Sequence, residues 1–291
     1  MKASELVLSA EGSLYHIHLT ADTLADKVLL VGDPGRVDMF RHVFDKVEYE
    51  SHNREMHALT GTYHGTRMTA LSTGMGCDNI DIVMTELDAA LRVREGQWTG
   101  ETARHLKVVR IGTSGSLQAE IDCGSRVASL YAIGLDGLMN YYREWDTPLP
   151  EMEQLFDTHM GIDPKMAHPY CVEGSPELAR RIAHDMHHGI TATAPGFYGP
   201  QGRTIRLHPA IADLNDRLAS FRYSGSTGQS LAITNLEMET SAIYGFSHLM
   251  GHEALTVCLI IANRPRGTFL NDYHVPMREL VATVVERLSK D

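Results

Sequence analysis

The chain has 291 residues, of which 43% are hydrophobic, so it can bury a substantial core in one large α/β domain or two small ones. Its formal net charge of -11 argues against a general nucleic-acid-binding surface, which normally relies on basic residues that neutralise phosphates. An anionic ligand would need arginines placed locally at one site.

Cysteine spacing and hydropathy restrict the class of protein further. The four cysteines lie far apart and form no Cys-x-x-Cys pair, which argues against a disulfide framework or a structural zinc site. Residues Met1 to Ala10 contain no long apolar core, and no stretch approaches the ~18 apolar residues of a membrane span. We therefore expect a cytoplasmic protein with no membrane partner.

Short apolar runs rich in β-branched residues recur along the chain, each ending at a turn. The runs are Lys27 to Val31, Met68 to Leu71, Leu106 to Ile111 and Leu255 to Ile261. Their near-continuous hydrophobicity is typical of parallel strands that are covered on both faces. Ligands of such sheets bind beyond the carboxyl ends of the strands, which is where these turns fall.

Helical spacing of apolar residues predicts two helices between and after these runs. One covers Asp78 to Val93 with Asp78 as its N-cap, and the other is C-terminal, around Leu280 to Leu288. No internal repeat occurs, and the polar stretch from about Tyr141 to Ser175 is a weak candidate for a boundary. We predict one α/β domain over residues 1–291, with a central mixed, mostly parallel twisted β-sheet flanked by helices.

Two of the turns carry residues suited to binding phosphate. Gly32 lacks a Cβ, so an anion can approach its backbone N–H, and Arg36 follows one turn later. Arg110 and the Thr113 hydroxyl end another strand and can converge on the same point, because the planar guanidinium matches phosphate oxygens. Taken alone, Arg36 is equally consistent with a solvated surface residue.

Five segments resemble those of a known family. Gly32 to Val37 (GDPGRV), Arg110 to Gly115 (RIGTSG) and Glu237 to Glu239 (EME) resemble the three signature segments of the nucleoside phosphorylase family. Phe197 to Arg203 (FYGPQGR) and Asn263-Arg264 are similar to the base-recognition segments of its uridine phosphorylase branch. The resemblance runs from about Tyr15 to the C-terminal helix, except for residues 94–105 and 141–175.

The resemblance implies a nucleoside phosphorylase-like fold and a transferase that converts uridine and phosphate to uracil and ribose 1-phosphate in pyrimidine salvage. It assigns phosphate binding to Gly32, Arg36, Arg54, Arg110 and Thr113. It assigns ribose binding to His16, Thr113, Met238 and Glu239. It assigns the base to Ser114, Gly115, Phe197, Gln201, Arg203 and Arg264, and catalysis to Arg110, Glu239, Arg203 and Gln201.

The chemistry of these side chains fits the assigned roles. A carboxylate at Glu239 can accept hydrogen bonds from two ribose hydroxyls. Taken alone, Glu239 is more often a helix N-terminal carboxylate, and Glu237 can be read as only that. The spacing of Gln201 and Arg203 in an extended loop would put both on one side, facing uracil, with Phe197 stacked on the pyrimidine. We expect inorganic phosphate as a co-substrate and no cofactor.

Assembly follows from the resemblance as well. In the family, His16 and Arg54 enter the site from a neighbouring subunit. We therefore expect a homodimer as the minimal active unit, with a hexamer as a further option.

Several other functions remain as alternatives. A purine nucleoside phosphorylase would carry an Asp after the late strand to protonate the purine, but Ile261 to Arg264 contains none. A nucleosidase that uses water would not need both Arg36 and Arg110, and a catalytically silent nucleoside-binding protein would not need every polar site residue. His184, His187 and His188 are read as a solvent-facing helix end, not a metal site, and no Gly-x-Gly-x-x-Gly motif follows a strand.

Overall fold

The computed structural model describes residue 2 and residues 4–225 and 228–290. The strands in chain order are β1 Lys27–Val31, β2 Lys46–Asn53, β3 Met56–Tyr63, β4 Thr66–Ser72, β5 Val93–Arg94, β6 Gln97–Trp98, β7 Lys107–Ser116, β8 Arg126–Gly134, β9 Tyr170–Glu173, β10 His187–Thr193, β11 Arg222–Ser224, β12 Ser230–Glu237, β13 Glu253–Asn263 and β14 Thr268–Phe269. The helices are α1 Pro34–Arg41, α2 Cys77–Arg92, α3 Pro150–Met160, α4 Pro176–Ile182, α5 Leu214–Ser220, α6 Thr240–Met250 and α7 His274–Ser289.

One mixed sheet organises the described residues, with β5 and β6 as a separate hairpin. Its order is β11, β12, β10, β8, β13, β7, β1, β4, β3 and β2, with β9 beside β8 and β14 beside β13. The four predicted strands are neighbours, in the order β4, β1, β7, β13, and all three of their pairings are parallel. Antiparallel pairs extend the sheet at its edge through β3 and β2. The predicted fold class is confirmed.

The sheet also closes on itself. Near its end, β12 returns to pair with β7, at Asn235 with Ser116 and Leu236 with Gly115. Strands β7, β13, β8, β10 and β12 therefore form a ring. This closure brings the end of β12 and the start of α6 next to the end of β7.

Helices cover both faces of the sheet, as the continuous apolar runs predict. Along β1, Val28 and Leu30 pack into the cluster that includes α2 and α6. Leu29 and Val31 pack into the opposite cluster, which includes α1, α4 and α7. The stretch from residue 141 to 175 contributes α3 and β9, and β9 pairs with β8 of the same sheet. None of the helices in the described residues is long and apolar enough to cross a membrane.

Two predictions about helices differ from the structure. Helix α2 begins at Cys77 with Gly76 as its N-cap, and Asp78 lies in the first turn, because the positive φ of Gly76 (98°) reverses the chain one residue earlier. His187 and His188 lie in β10 and not at a helix end, since α4 already ends at Ile182.

The turn predicted after Ile111 is also wrong. Strand β7 continues to Ser116, so residues 112–115 lie within the strand. They remain extended because β13 pairs with β7 along this stretch and β12 pairs with its end.

Tyr244 ties α6 to two strands of the ring. Its buried hydroxyl donates to the Ser129 carbonyl of β8 at 2.7 Å and accepts from the Thr256 N–H of β13 at 2.7 Å. We expect Tyr244→Phe to lower the free energy of unfolding by about 1–3 kcal/mol, because two buried backbone groups lose their partner. Urea unfolding measures this loss.

The matched control is Tyr141→Phe, since the Tyr141 side chain is 87% exposed. We expect it to change the unfolding free energy by less than about 0.5 kcal/mol. Equal effects of the two substitutions would contradict the role of the Tyr244 hydroxyl.

Candidate active site

A cavity of about 730 Å³ opens at the carboxyl ends of the parallel strands. Its walls are the turns that follow β1 and β4 together with the last residues of β7, β12 and β13. This is where the sequence predicts ligand binding, because the carboxyl ends of the parallel strands β4, β1, β7 and β13 meet at one edge of the sheet. Strand β12 is antiparallel to β7 and reaches the cavity where the ring closes.

Two buried arginines lie at one end of the cavity. Gly32, Arg36, Arg110 and Thr113, the residues predicted to bind phosphate apart from Arg54, all line it. Arg36 is 6% exposed and Arg110 is 4% exposed, and Arg36 donates to the Ile111 carbonyl at 3.2 Å. Burial, together with the positive charge of Arg110, lowers the pKa of Arg36. Two guanidinium groups so close together favour an anion between them.

Arg110 makes the central ion pair of the site. Its Nη2 donates to Glu239 in a very short hydrogen bond, and its Nη1 lies 3.3 Å from Glu237 Oε2. Burial alone would lower the pKa of Arg110, but the two carboxylates raise it above its ordinary value. A side chain at Gly112 would collide with the Arg110 guanidinium, which explains the glycine in the RIGTSG segment.

The two glutamates of the EME segment have different partners. Glu237 accepts from the Glu239 N–H at 2.9 Å and the Thr240 N–H at 3.0 Å, so it caps the start of α6, as the sequence suggests. Glu239 makes no such cap and instead accepts from the Gly76 N–H at 2.7 Å and from Arg110. Burial and the neighbouring Glu237 charge raise the pKa of Glu239, while Arg110 opposes this.

The opposite end of the cavity contains the residues predicted to recognise the base. Ser114, Gly115, Phe197, Gln201, Arg203 and Arg264 all line it, and Met238 and Glu239 line the middle. Arg203 donates to Gln201 Oε1 at 2.6 Å and to the Phe197 carbonyl at 2.6 Å. Burial, followed by the charge of Arg264, lowers the pKa of Arg203 to about 10. Burial likewise lowers the pKa of Arg264, and its Nη1 has no hydrogen-bond partner among the described residues.

The prediction that Gln201 and Arg203 lie in an extended loop is wrong. Gln201 ends a 3-10 turn, Gly199–Gln201, and Gly202 is left-handed with φ 69°. The Arg203 N–H then donates back to the Tyr198 carbonyl at 2.9 Å. The tight turn, not strand alternation, puts both side chains into the cavity. The guanidinium of Arg203 also lies 3.8 Å from the centre of the Phe197 ring.

Neither His16 nor Arg54 lines the cavity of its own chain in the described residues. His16 Nδ1 lies 2.6 Å from Glu86 Oε1, and the His16 backbone N–H donates to the same carboxylate at 3.0 Å. Arg54 is exposed at the turn between β2 and β3, with φ 55°. The Asn53 amide donates to the Tyr15 and His16 carbonyls, so the two segments share one surface.

Sequence reasoning missed residues that contact the side chains of the site and hold them in place. Gly76 donates to Glu239, and the glycines at 74 and 76 after β4 are the signal that could have identified it. The Cys258 sulfur lies 3.6 Å from Arg110 Nη1, which no sequence pattern indicates. The amide of Asn263 donates to the carbonyls of Gln118, Ala119 and Ile121 at 2.8–3.2 Å, so that side chain is committed to the backbone.

Comparisons with known proteins agree with this geometry. The chain is 28% identical to a uridine phosphorylase of Thermococcus kodakarensis over 268 residues, which are 92% of this chain and 83% of that protein. It is 26% identical to a DeoD-type purine nucleoside phosphorylase of Streptococcus suis over 282 residues, covering 92% of this chain and 98% of that protein. The structure of a Trypanosoma brucei nucleoside phosphorylase with uridine phosphorylase activity superposes with a TM-score of 0.85 and 30% identity, over 98% of this chain and 99% of that one.

The family model described as the phosphorylase superfamily matches residues 26–289, which is nearly the whole chain. The chain belongs to the phosphorylase superfamily, as the resemblance of its signature segments predicted.

Proposed function

We propose that this protein is a uridine phosphorylase, which uses inorganic phosphate to convert uridine to uracil and ribose 1-phosphate. The observation that carries the proposal is one cavity with arginines at both ends and a carboxylate between them. Relatives named uridine phosphorylase, at 28% and 24% identity, support the same reaction.

The arginine pair of Arg36 and Arg110 holds phosphate, with the Gly32 backbone and the Thr113 hydroxyl. Glu239 and Met238 hold the ribose between phosphate and base. Because Arg110 is bonded to Glu239, the nucleophile and the sugar are positioned by one connected pair of side chains. A phosphate oxygen attacks C1' as the bond from C1' to the base nitrogen breaks, and its negative charge offsets the positive charge that develops on the sugar.

The electrons of the broken bond go to the base, so the leaving group must be stabilised as an anion. Arg203, with Gln201 held against it at 2.6 Å, supplies donors to the uracil oxygens, and Arg264 adds positive charge beside them. Preorganised donors of this kind act where the charge develops. Phe197 can stack on the base with the face that Arg203 does not cover.

The residues at the end of β13 argue against a purine nucleoside phosphorylase. In the segment where a purine phosphorylase needs an acid, Asn263 already donates its amide to three carbonyls of the chain. A purine leaving group would therefore lack a proton donor there. Uracil does not need one.

A shared site completes the proposal. His16 and Arg54 occupy a common surface outside their own cavity. A symmetric dimer would bring the two residues of each chain to the cavity of the other, with Arg54 directed at phosphate and His16 at the ribose.

The first test is a phosphate-dependence assay of the purified protein. We expect uracil release from uridine to require phosphate and to yield equimolar ribose 1-phosphate, with inosine and adenosine cleaved far more slowly. Chromatography of base and sugar products measures both. Uracil release without phosphate would instead indicate a nucleosidase, and preferred cleavage of inosine would indicate a purine enzyme.

Replacement of Arg203 tests the part of the cavity that is assigned to the base. We expect Arg203→Ala to lower kcat/KM for uridine by about 100-fold or more, the scale for loss of one donor to a developing anion. The KM for phosphate should change little, because Arg36 and Arg110 are untouched. Arg206→Ala, an exposed arginine three residues later, is the matched control and should keep normal activity. Near-normal turnover by Arg203→Ala would contradict the assignment of this turn to the base.

Subunit complementation tests the shared site. We expect Arg54→Ala and Glu239→Ala to be inactive separately and to regain activity when mixed under conditions of subunit exchange. In a mixed dimer one site has both residues intact, while the other has both lesions. Exchange is verified by native mass spectrometry of differently tagged chains. Verified exchange without recovered activity would mean that Arg54 acts within its own chain.

A further inference from the structure

Three metal-ligating side chains converge outside the cavity, on the β2–β3 hairpin. Glu50 and His52 are two residues apart on β2, and His57 is the register partner of His52 on β3, so all three share one face. His52 Nε2 and His57 Nε2 lie 3.2 Å and 3.1 Å from the same atom, Glu50 Oε1. All the candidate ligand atoms lie within 4.8 Å of one another.

Both ring nitrogens of the buried His57 have a polar neighbour. His57 Nδ1 lies 3.3 Å from the Pro34 carbonyl oxygen. His57 Nε2 lies 3.1 Å from Glu50 Oε1, so the ring is held with this nitrogen directed at the carboxylate.

Three nitrogens converge on Glu50 Oε1. Besides the two histidines, Arg41 Nη2 donates to it in a very short hydrogen bond. An ion bound here would therefore compete with Arg41 for this oxygen.

We propose that Glu50, His52 and His57 form a binding site for a divalent transition-metal ion such as Zn²⁺. Two imidazoles and one carboxylate are a donor set that this ion prefers. The side chain of His57, only 3% exposed, is the fixed ligand, and its Nδ1 bond to a backbone carbonyl is the outer contact typical of metal-bound histidine. The side chain of His52, 65% exposed, lies at the open side of the site.

Binding of a metal ion at this site requires two small rearrangements. The rings of His52 and His57 stack at 3.7 Å with 24° between their planes, so His52 rotates out of the stack to direct Nε2 at the ion. Arg41 lies in the last turn of α1 and is 40% exposed, so it can leave Oε1 for solvent or for the other carboxylate oxygen. Arg41 is thus a competitor of the ion.

The site has a structural role separate from the chemistry in the cavity. His57 contacts Pro34 in the turn that lines the phosphate end, and the same hairpin carries Arg54 and Glu55. A bound ion would join β2 and β3 through one point and so stabilise the folded state.

The test is titration of the full chain with Co²⁺, followed by its visible absorption, and then displacement by Zn²⁺. We expect one equivalent to bind, and His52→Ala and Glu50→Gln to weaken binding at least about tenfold. Arg41→Ala should bind at least as tightly as the unaltered protein, because it removes the competitor. His184→Ala, which removes an exposed histidine elsewhere, is the control and should bind normally.

Thermal unfolding provides the second readout. Zn²⁺ should raise the Tm of the unaltered protein and of His184→Ala but not of His52→Ala, whose Tm in EDTA should be normal because that side chain is exposed. The proposal is overturned if no equivalent of Co²⁺ binds, or if His52→Ala and Glu50→Gln bind as tightly as the unaltered protein.

Discussion

The buried ion pair between Arg110 and Glu239 is the interaction on which the site depends. It joins Arg110, within β7, to the start of α6, and the closure of the sheet by β12 makes that contact possible. A buried pair is tolerated only when its remaining polar atoms are satisfied. Gly76 and Glu237 supply some of those partners, and Gly112 supplies the space for the guanidinium. Arg110 Nε is buried without a hydrogen-bond partner among the described residues.

Local charge also explains how a chain of net charge -11 can hold anions. Arg36 and Arg110 lie at one end of the cavity, and Arg203 and Arg264 lie at the other. In each pair the two positive charges are close enough that one affects the pKa of the other. A bound phosphate or a uracil anion relieves that repulsion, and the donors are already in position when the charge develops.

The β2–β3 hairpin contributes residues to the outer surface, to the cavity and to the contact with the turn after β1. Its turn presents Arg54 on the outer surface, Glu55 lines the cavity, and His57 contacts the turn after β1. One of its faces also carries the proposed metal ligands.

The sequence by itself determined the central strands and nearly the whole wall of the cavity. Strands β4, β1, β7 and β13 are continuous apolar runs because both faces are covered. The GDPGRV segment follows β1, whereas RIGTSG lies within β7 and EME at the end of β12. Tertiary structure alone decided the closure of the ring and the tight turn at Gly202. It also decided the meeting of Glu50 with His57. These features depend on strand register and on contacts between distant segments, whereas apolar periodicity records only which faces of a segment are buried.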